Sequence, residues 1–298
     1  MNAEVTSTDE GLTTPWRTFL EEAERRLRAA GLPNPEVDAR RIVEEASGHG
    51  GNLTLHLDDP ATNLGVARFD GMLPRREAGE PLQYVLGRWS FRTLDLMVDR
   101  RVLIPRPETE AVVGHLLDEY DRMAAAGLRG PVVDLGTGSG AIALSIAVER
   151  SGVEVWGTDR SRDALVVARG NLAGLGRPAT RVRLTEGSWF AALPAELAGS
   201  ILAIVSNPPY VAPTDELPAE VADWEPTEAL IPGPTGLEAI AEIVAHAPDW
   251  LHPEGVLVIE LTPAQAHAAV RAALASGFSS AEVRPDLAGR PRALVARR

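Results

Sequence analysis

The sequence predicts an α/β chain in which a mostly parallel sheet, with helices on both faces, follows a small helical domain and a β-hairpin. Three observations carry that expectation. Beyond Gly130 short apolar runs alternate with helical segments, the pattern of successive βαβ units. The glycine-rich run Asp134-Leu-Gly-Thr-Gly-Ser-Gly stands between one such apolar run and a helix. Before residue 86 the apolar residues recur at helical spacing instead. The expected plan is a helical domain over residues 1–86, a hairpin linker over 87–104 and the sheet domain over 105–298.

In chain order, Thr14-Pro15 reads as an N-cap and first-turn proline, with Trp16, Phe19, Leu20, Ala23 and Leu27 as an apolar stripe and Gly31 as the stop. A second helix follows Pro33 and Pro35, carrying Val37, Ala39, Ile42 and Val43, and a third runs from Pro60 to about Arg76. From Trp89 to Ile104 the period changes to two: Phe91, Leu94, Leu96, Val98, Val102 and Ile104 alternate with charged residues, as in a hairpin. Pro105 and Pro107 punctuate the chain, and Glu108 to Ala126 is helical, with Val112, Val113, Leu116 and Leu117 facing inward. The strands expected in the sheet are Val132 to Gly136, Val153 to Asp159, Val182 to Glu186, Ile201 to Asn207 and Val256 to Leu261. The runs Ser280 to Pro285 and Arg292 to Ala296 are joined by a segment short enough only for a hairpin, so the sheet should end in an antiparallel pair.

Composition narrows the function. With 45% hydrophobic and 24% charged residues the chain is ordinary for a globular protein. It contains no cysteine, which removes disulfides, thiolate metal sites and a cysteine nucleophile together. The six histidines show no paired ligand spacing, so no metal site is expected. The acidic, polar start lacks a secretory signal, and no run approaches the ~20 apolar residues of a membrane span, so a cytoplasmic protein is expected. All basic residues are arginines, a usage that reads as GC-rich coding bias, and the net charge is -13. Such a charge repels bare phosphate backbone, and no direct nucleic-acid binding is expected.

Two motifs fall at the carboxyl edge of the sheet, where open α/β folds bind ligands. Gly136, Gly138 and Gly140, with Thr137 and Ser139 between them, let the backbone pass close beneath a ligand, and Asp159, about 20 residues on, can accept hydrogen bonds from ribose hydroxyls. A nucleoside-containing cofactor is implied. Gly136-x-Gly138-x-x-Ala141 also satisfies a loose dinucleotide fingerprint, and a tight turn with no ligand is the blander alternative. The second motif, Asn207-Pro208-Pro209-Tyr210, ends an apolar strand in a loop stiffened by two prolines. A planar NH2 group has two hydrogens to grip. The Asn207 side-chain oxygen and the Pro208 carbonyl can accept one each, while Tyr210 stacks on the flat group and favours positive charge on a transferring methyl. An ordinary Asn-Pro turn is the alternative. Pairing the motifs favours S-adenosylmethionine as the nucleoside, with a planar nitrogen as acceptor.

With Gly79-Glu-Pro-Leu-Gln-Tyr-Val-Leu-Gly, Val102-Leu-Ile-Pro-Arg-Pro-Glu-Thr-Glu and Asp286-Leu-Ala-Gly-Arg-Pro-Arg added to these two motifs, nearly the whole chain resembles the PrmC/HemK family of protein-(glutamine-N5) methyltransferases. The resemblance implies a seven-stranded, Rossmann-like class I methyltransferase domain behind a helical domain that recognises substrate. It implies that Gly136 to Gly140, Asp159 and Trp189 contact S-adenosylmethionine, that Asn207 to Tyr210 hold the acceptor, and that the acceptor is the glutamine of the Gly-Gly-Gln motif in bacterial class 1 peptide chain release factors. Thr235-Gly236, Glu254-Gly255 and Thr262-Pro263 depart from the family pattern, which puts local loop conformation in question rather than the two sites.

Other residues carry weaker signals. Trp189 can flank an adenine ring or serve as a core tryptophan. Arg106, Glu108 and Glu110 open a helix, where acids suit the positive end, or help close the site. The competing functions are an adenine N6-methyltransferase, which would need base extrusion and a basic channel, a glutamine methyltransferase acting on a ribosomal protein, and a dehydrogenase, which would leave Asn207 to Tyr210 without a purpose.

Overall fold

A computed structural model describes residues 14–298 of the chain. The acidic stretch 1–13, on which the reading of a missing signal rests, lies outside the described residues. The chain divides between Leu86 and Gly87 into two compact units.

The first unit is helical: α1 Trp16–Ala29, α2 Pro35–Ser47, α3 Asn63–Glu77 and the short α4 Leu82–Leu86. Its core gathers Trp16, Leu27, Ile42, Phe69 and Leu73, all wholly buried, and a buried ion pair joins Arg76 to Asp38 at 2.7 Å. Two helix starts differ from expectation. Pro15, not Thr14, sits at the N-cap of α1 and forms an isolated bridge with Pro60. The first amides of α1 donate to backbone carbonyls, Trp16 N to Asp59 O at 3.2 Å and Arg17 N to Leu57 O at 2.8 Å, so no side-chain cap is needed. Because Pro60 is spent in that bridge, α3 starts later, at Asn63, where the Thr62 hydroxyl accepts from Gly65 N.

The second unit opens with β1 Arg88–Phe91 and β2 Leu94–Met97, an antiparallel hairpin in which Arg88 pairs with Met97. At its turn Arg92 takes a left-handed backbone (φ 52), held by Glu110, which accepts its amide, and by Glu149, which accepts its guanidinium. The hairpin ends at Met97 rather than Ile104. Val98, Val102 and Ile104 are buried as their alternation suggests, but the Ile104 amide donates to the Glu225 carboxylate at 3.2 Å instead of to a strand, and Pro105 and Pro107 offer no donors.

The sheet unit continues with α5 Pro107–Ala125, β3 Val132–Leu135, α6 Ala141–Glu149, β4 Val155–Asp159, α7 Arg162–Ala173, β5 Val182–Glu186, β6 Ile201–Ser206, α8 Ala219–Ala222, α9 Glu238–Trp250, β7 Leu251–Glu260, α10 Ala266–Ala275, β8 Ser280–Pro285 and β9 Pro291–Arg297. Seven strands pair in the order β5-β4-β3-β6-β7-β9-β8. All neighbours are parallel except β9, antiparallel to both β7 and β8, which bears out the expected antiparallel end. β7 begins at Leu251 rather than Val256 because Leu251 pairs with Ile201 across a register shift. Successive side chains of β3 face opposite layers: Val132 joins a core with α5 and α6, including Val113, Leu116 and Ile146, and Val133 joins one with α9 and α10, including Ile243, Val244 and Ala273. Truncating such a side chain, Ile204→Ala for example, costs about 2–5 kcal/mol. Glu119, on α5, collects Arg122, Arg284 and Arg297, tying the helix to β8 and β9. Burial alone would raise the Glu119 carboxyl; the arginines outweigh it and hold the pKa down to about 2. Among the described residues no helix is long and apolar enough to cross a membrane.

Candidate active site

Strand order reverses about β3, whose neighbours are β4 on one side and β6 on the other. The crevice at such a switch point opens above the carboxyl ends of these strands. The loop leaving β3 lies in it. Gly136 has φ 77, and a Cβ there would come within 3.3 Å of the Trp189 ring. Gly140, φ 84, is the left-handed N-cap of α6, where a Cβ would meet Leu144 at 3.0 Å. Asp134 holds the loop from below, its Oδ2 accepting from the Thr137 hydroxyl at 2.6 Å and from Ala143 N at 3.1 Å. Burial raises its pKa to about 7 against those two hydrogen bonds.

Asp159 ends β4 with each carboxylate oxygen taking one backbone amide: Oδ2 from Gly138 at 2.9 Å, Oδ1 from Ser161 at 2.8 Å. Burial pushes this carboxyl above the ordinary range. A carboxylate has about four lone-pair directions, so acceptor capacity remains for hydroxyls in the crevice. Trp189, also left-handed (φ 44), is half-buried and walls the crevice while resting on the α9 side of the core. Asn171 braces the far end of the loop, donating to Ser139 O and to Met97 O and accepting from Met97 N.

Gly136, Thr137, Gly138, Ser139, Asp159, Trp189, Pro209 and Asn207 all line one cavity of about 230 Å3. Gly140 does not; it shapes the helix start. A second cavity, about 210 Å3, is lined by Pro208 and Tyr210, by apolar Leu103, Val221 and Leu230, and by Arg106. Asn207 belongs to both linings. Its Nδ2 donates to Thr109 Oγ1 at 3.3 Å, and its Oδ1 is buried without a hydrogen-bond partner. Ser206, the residue before it, is anchored through its hydroxyl to Leu135 O at 2.6 Å.

Several residues here escaped the sequence reading. The Tyr210 hydroxyl donates to Glu260 Oε1 at 3.2 Å, and burial first, then the Glu260 charge, raises the phenol pKa. A carboxylate directly after the apolar run Val256–Ile259, at the sheet's ligand edge, was the available signal for Glu260. Gln265 Nε2 donates to Tyr210 O and to Gly236 O, while its own oxygen accepts from Thr262 N in a capping box. The Thr262-Pro263 departure therefore reaches the site, through Gln265. Glu225 receives Ile104 N and ion-pairs with Arg106. Glu108 pairs with Arg290, and Glu110 serves the hairpin turn.

In the helical unit, His49, His56 and Asp59 bring potential ligand atoms within 4.8 Å of one another. The two imidazoles stack face to face, 4.0 Å between centroids and 7° between planes, so one cation cannot lie in both ring planes as imidazole coordination requires.

A sheet with this strand order, a glycine loop at its switch point and two cavities meeting at one asparagine define a class I methyltransferase. Residues 18–87 match the PrmC N-terminal domain and residues 113–222 the methyltransferase small domain. The chain is 40% identical over 282 residues to a release factor glutamine methyltransferase of Cereibacter sphaeroides, covering 93% of this chain and 96% of that one. It is 42% identical over 273 residues to another from Burkholderia pseudomallei, covering 90% and 93%. Among solved structures, the hMettl16 catalytic domain in complex with a 3′UTR hairpin aligns with a TM-score of 0.52 at 14% identity, over 78% of this chain and 80% of that one, a likeness of fold alone. The chain belongs to the release factor glutamine methyltransferase family, and its methyl donor is S-adenosylmethionine. The first cavity suits that donor: its lining joins a carboxylate with acceptor capacity for ribose hydroxyls to an aromatic wall and a backbone cradle that a Cβ would fill.

Proposed function

We propose that this chain transfers a methyl group from S-adenosylmethionine to the side-chain amide nitrogen (N5) of the glutamine in the Gly-Gly-Gln motif of a class 1 peptide chain release factor, and so modulates translation termination. The observation that carries the reading is the buried, unpartnered Asn207 Oδ1 where the two cavities meet. An orphaned acceptor in a folded protein costs about 1–3 kcal/mol, a cost that an entering N–H removes.

In this reading Gly136, Thr137, Gly138, Ser139, Asp159 and Trp189 hold the donor, Gly140 shapes its loop, and Asn207, Pro208, Pro209 and Tyr210 hold the acceptor. Bound S-adenosylmethionine supplies an electrophilic methyl group. Asn207 Oδ1 and the Pro208 carbonyl accept the two amide hydrogens, drawing charge onto a nitrogen whose lone pair is otherwise delocalised. The Tyr210 ring, held by Glu260 at its hydroxyl and by Gln265 at its backbone, stacks on the flat amide. Apolar Leu103, Val221 and Leu230 suit the aliphatic stem of a glutamine and exclude water. As the nitrogen gains its bond to the methyl carbon, the donor's sulfur–methyl bond breaks with its electron pair left on sulfur, so that S-adenosylhomocysteine is the leaving product, and the nitrogen releases one of its two protons to solvent. Positioning of this kind is worth roughly 7–11 kcal/mol in well-aligned systems. The helical unit, residues 1–86, serves in this reading as the recognition module for the protein substrate, and the setting is cytoplasmic. The net charge of -13 disfavours direct nucleic-acid binding.

Incubation with purified release factor and labelled donor, followed by mass spectrometry of the Gly-Gly-Gln peptide, tests the assignment. One methyl group on the glutamine side chain is expected. Label transferred to nucleic acid or to a ribosomal protein, with none on the release factor, would overturn it.

A further inference from the structure

A glutamine carboxamide brings three polar points into its socket, two N–H hydrogens and one carbonyl oxygen. Asn207 Oδ1 and the Pro208 carbonyl answer the hydrogens. The oxygen still needs a donor, and the side chains of Leu103, Val221 and Leu230 offer none. The Tyr210 hydroxyl is spent on Glu260, and Asn207 Nδ2 is turned to Thr109. Among the described residues that line the acceptor cavity, Arg106 alone is charged. A guanidinium carries five N–H donors and no acceptor. The one side-chain hydrogen bond of Arg106 among the described residues runs from Nη2 to Glu225 Oε1, so donors are left over, on a side chain still 31% exposed.

The place of this side chain is fixed from two directions. Arg106 is the N-cap of α5, in extended backbone (φ -99, ψ 147), and its carbonyl accepts from Thr109 N at 3.1 Å. The turn that brings Thr109 to Asn207 therefore also sets the base of Arg106. Glu225 lies just beyond α8, its amide donating to Val221 O at 3.1 Å. Its carboxylate is buried and fully used: Oε2 accepts Ile104 N at 3.2 Å while Oε1 takes the guanidinium. A planar fork gripped at one nitrogen keeps its other donors in a fixed relation to that grip.

We propose that Arg106 is a substrate-binding residue that donates to the side-chain carbonyl oxygen of the acceptor glutamine, and that Glu225 is the positioning residue that holds it there. The proposal rests on the glutamine reading. Because a guanidinium cannot accept a hydrogen bond, the contact admits the carboxamide one way round: oxygen to Arg106, nitrogen to Asn207 and so to the methyl donor. A side chain without a carbonyl, such as leucine, gains nothing from it.

The full chain, loaded with S-adenosylhomocysteine so that no methyl moves, is titrated with purified release factor and with the same factor carrying Gln→Leu in its Gly-Gly-Gln motif. Wild type should prefer the glutamine form. In Arg106→Met that preference is expected to shrink about five- to tenfold, while the leucine form binds both enzymes alike within about twofold. Because Arg106→Met leaves the buried Glu225 without its cation, the same titrations are run on Arg106→Met/Glu225→Gln, which is neutral and can still accept Ile104 N. It should show the same shrinkage. Glu225→Gln alone, which loosens the anchor and keeps the fork, should lose about two- to threefold of the preference. Equal losses for the two factors in both Arg106 variants, with the preference unaltered, would show Arg106 acting only through the fold and overturn the proposal while leaving the glutamine reading intact. A wild type that binds both factors alike would remove the glutamine reading and the proposal together.

Discussion

The two cavities that meet at Asn207 are built from opposite materials. The donor side is mostly backbone: a loop in left-handed conformations at Gly136 and Gly140, pinned by Asp134 beneath it and by the Asp159 carboxylate through Gly138 N. The acceptor side is a network of side chains, Asn207 to Thr109 and Tyr210 to Glu260, with the Asn207 Oδ1 and Glu260 Oε2 oxygens left without partners. A backbone cradle suits a ligand that is the same at every turnover. A side-chain network can discriminate, because a site built to hydrogen-bond a particular group is left with unpaired buried atoms when that group is missing. Donor affinity and acceptor chemistry should therefore be separable by mutation.

The sharpest break is Asn207→Ala. Turnover is expected to fall about 10²–10³-fold, the range seen when one charge-stabilising hydrogen-bonding group is removed, while donor affinity stays near wild type in a binding titration. Comparable loss of both would show that the two sides are not distinct. Next in size, Gly136→Val forces a β-branched residue into φ 77 against the Trp189 ring. Left-handed backbone costs such residues about 1–2 kcal/mol before any clash, so donor affinity should weaken at least tenfold, more than turnover at saturating donor does. An unchanged titration would separate the glycine loop from donor binding. Tyr210→Phe removes one hydrogen bond to a buried carboxylate, worth about 1.5–3 kcal/mol where a charge is involved, and should lower kcat roughly three- to tenfold with donor affinity unaltered in the same two assays.

The smallest effect concerns the scaffold under the donor loop. Burial raises the Asp134 pKa to about 7, so the folded protein keeps a proton that an unfolded chain, with an ordinary aspartate, releases near pH ~4. The sign follows: this carboxyl favours the fold most below the unfolded pKa, and its contribution falls as pH rises through the window from about 4 to about 7. Asp134→Asn cannot titrate. Denaturant unfolding across that window should show the variant gaining on wild type as pH rises; a difference independent of pH would rule out the buried, protonated state.

Much of this arrangement was legible because it follows from period and punctuation. Short apolar runs before Asp159 and Asn207 indicated buried parallel strands, and the six-residue join at Asp286 could only be a hairpin. What escaped depends on tertiary partners. Alternation through Val98, Val102 and Ile104 imitates a strand, but the segment is tied by Glu225, more than a hundred residues away in sequence. Thr109 stands between two glutamates whose charges drew the reading, and its neutral hydroxyl matters only because the fold brings it to Asn207. Glu260 had a readable signal, an acid directly after an apolar run at the ligand edge. His49, His56 and Asp59 share no spacing that would announce their meeting; a 3₁₀ turn over Gly50–Leu55 brings them together.

The strand order has a consequence for how the molecule is made. β9 lies between β7 and β8 although it follows both in the chain, so in a polypeptide growing from its N-terminus β7 presents an unpaired edge until residues 291–297 emerge. Glu260 rides on that edge, opposite Ala293. A nascent chain thus holds every residue that lines its nucleoside cradle, Glu242 being the last of them, before the final ladder beside its amide grip can close, and catalytic competence is expected to arrive late in translation.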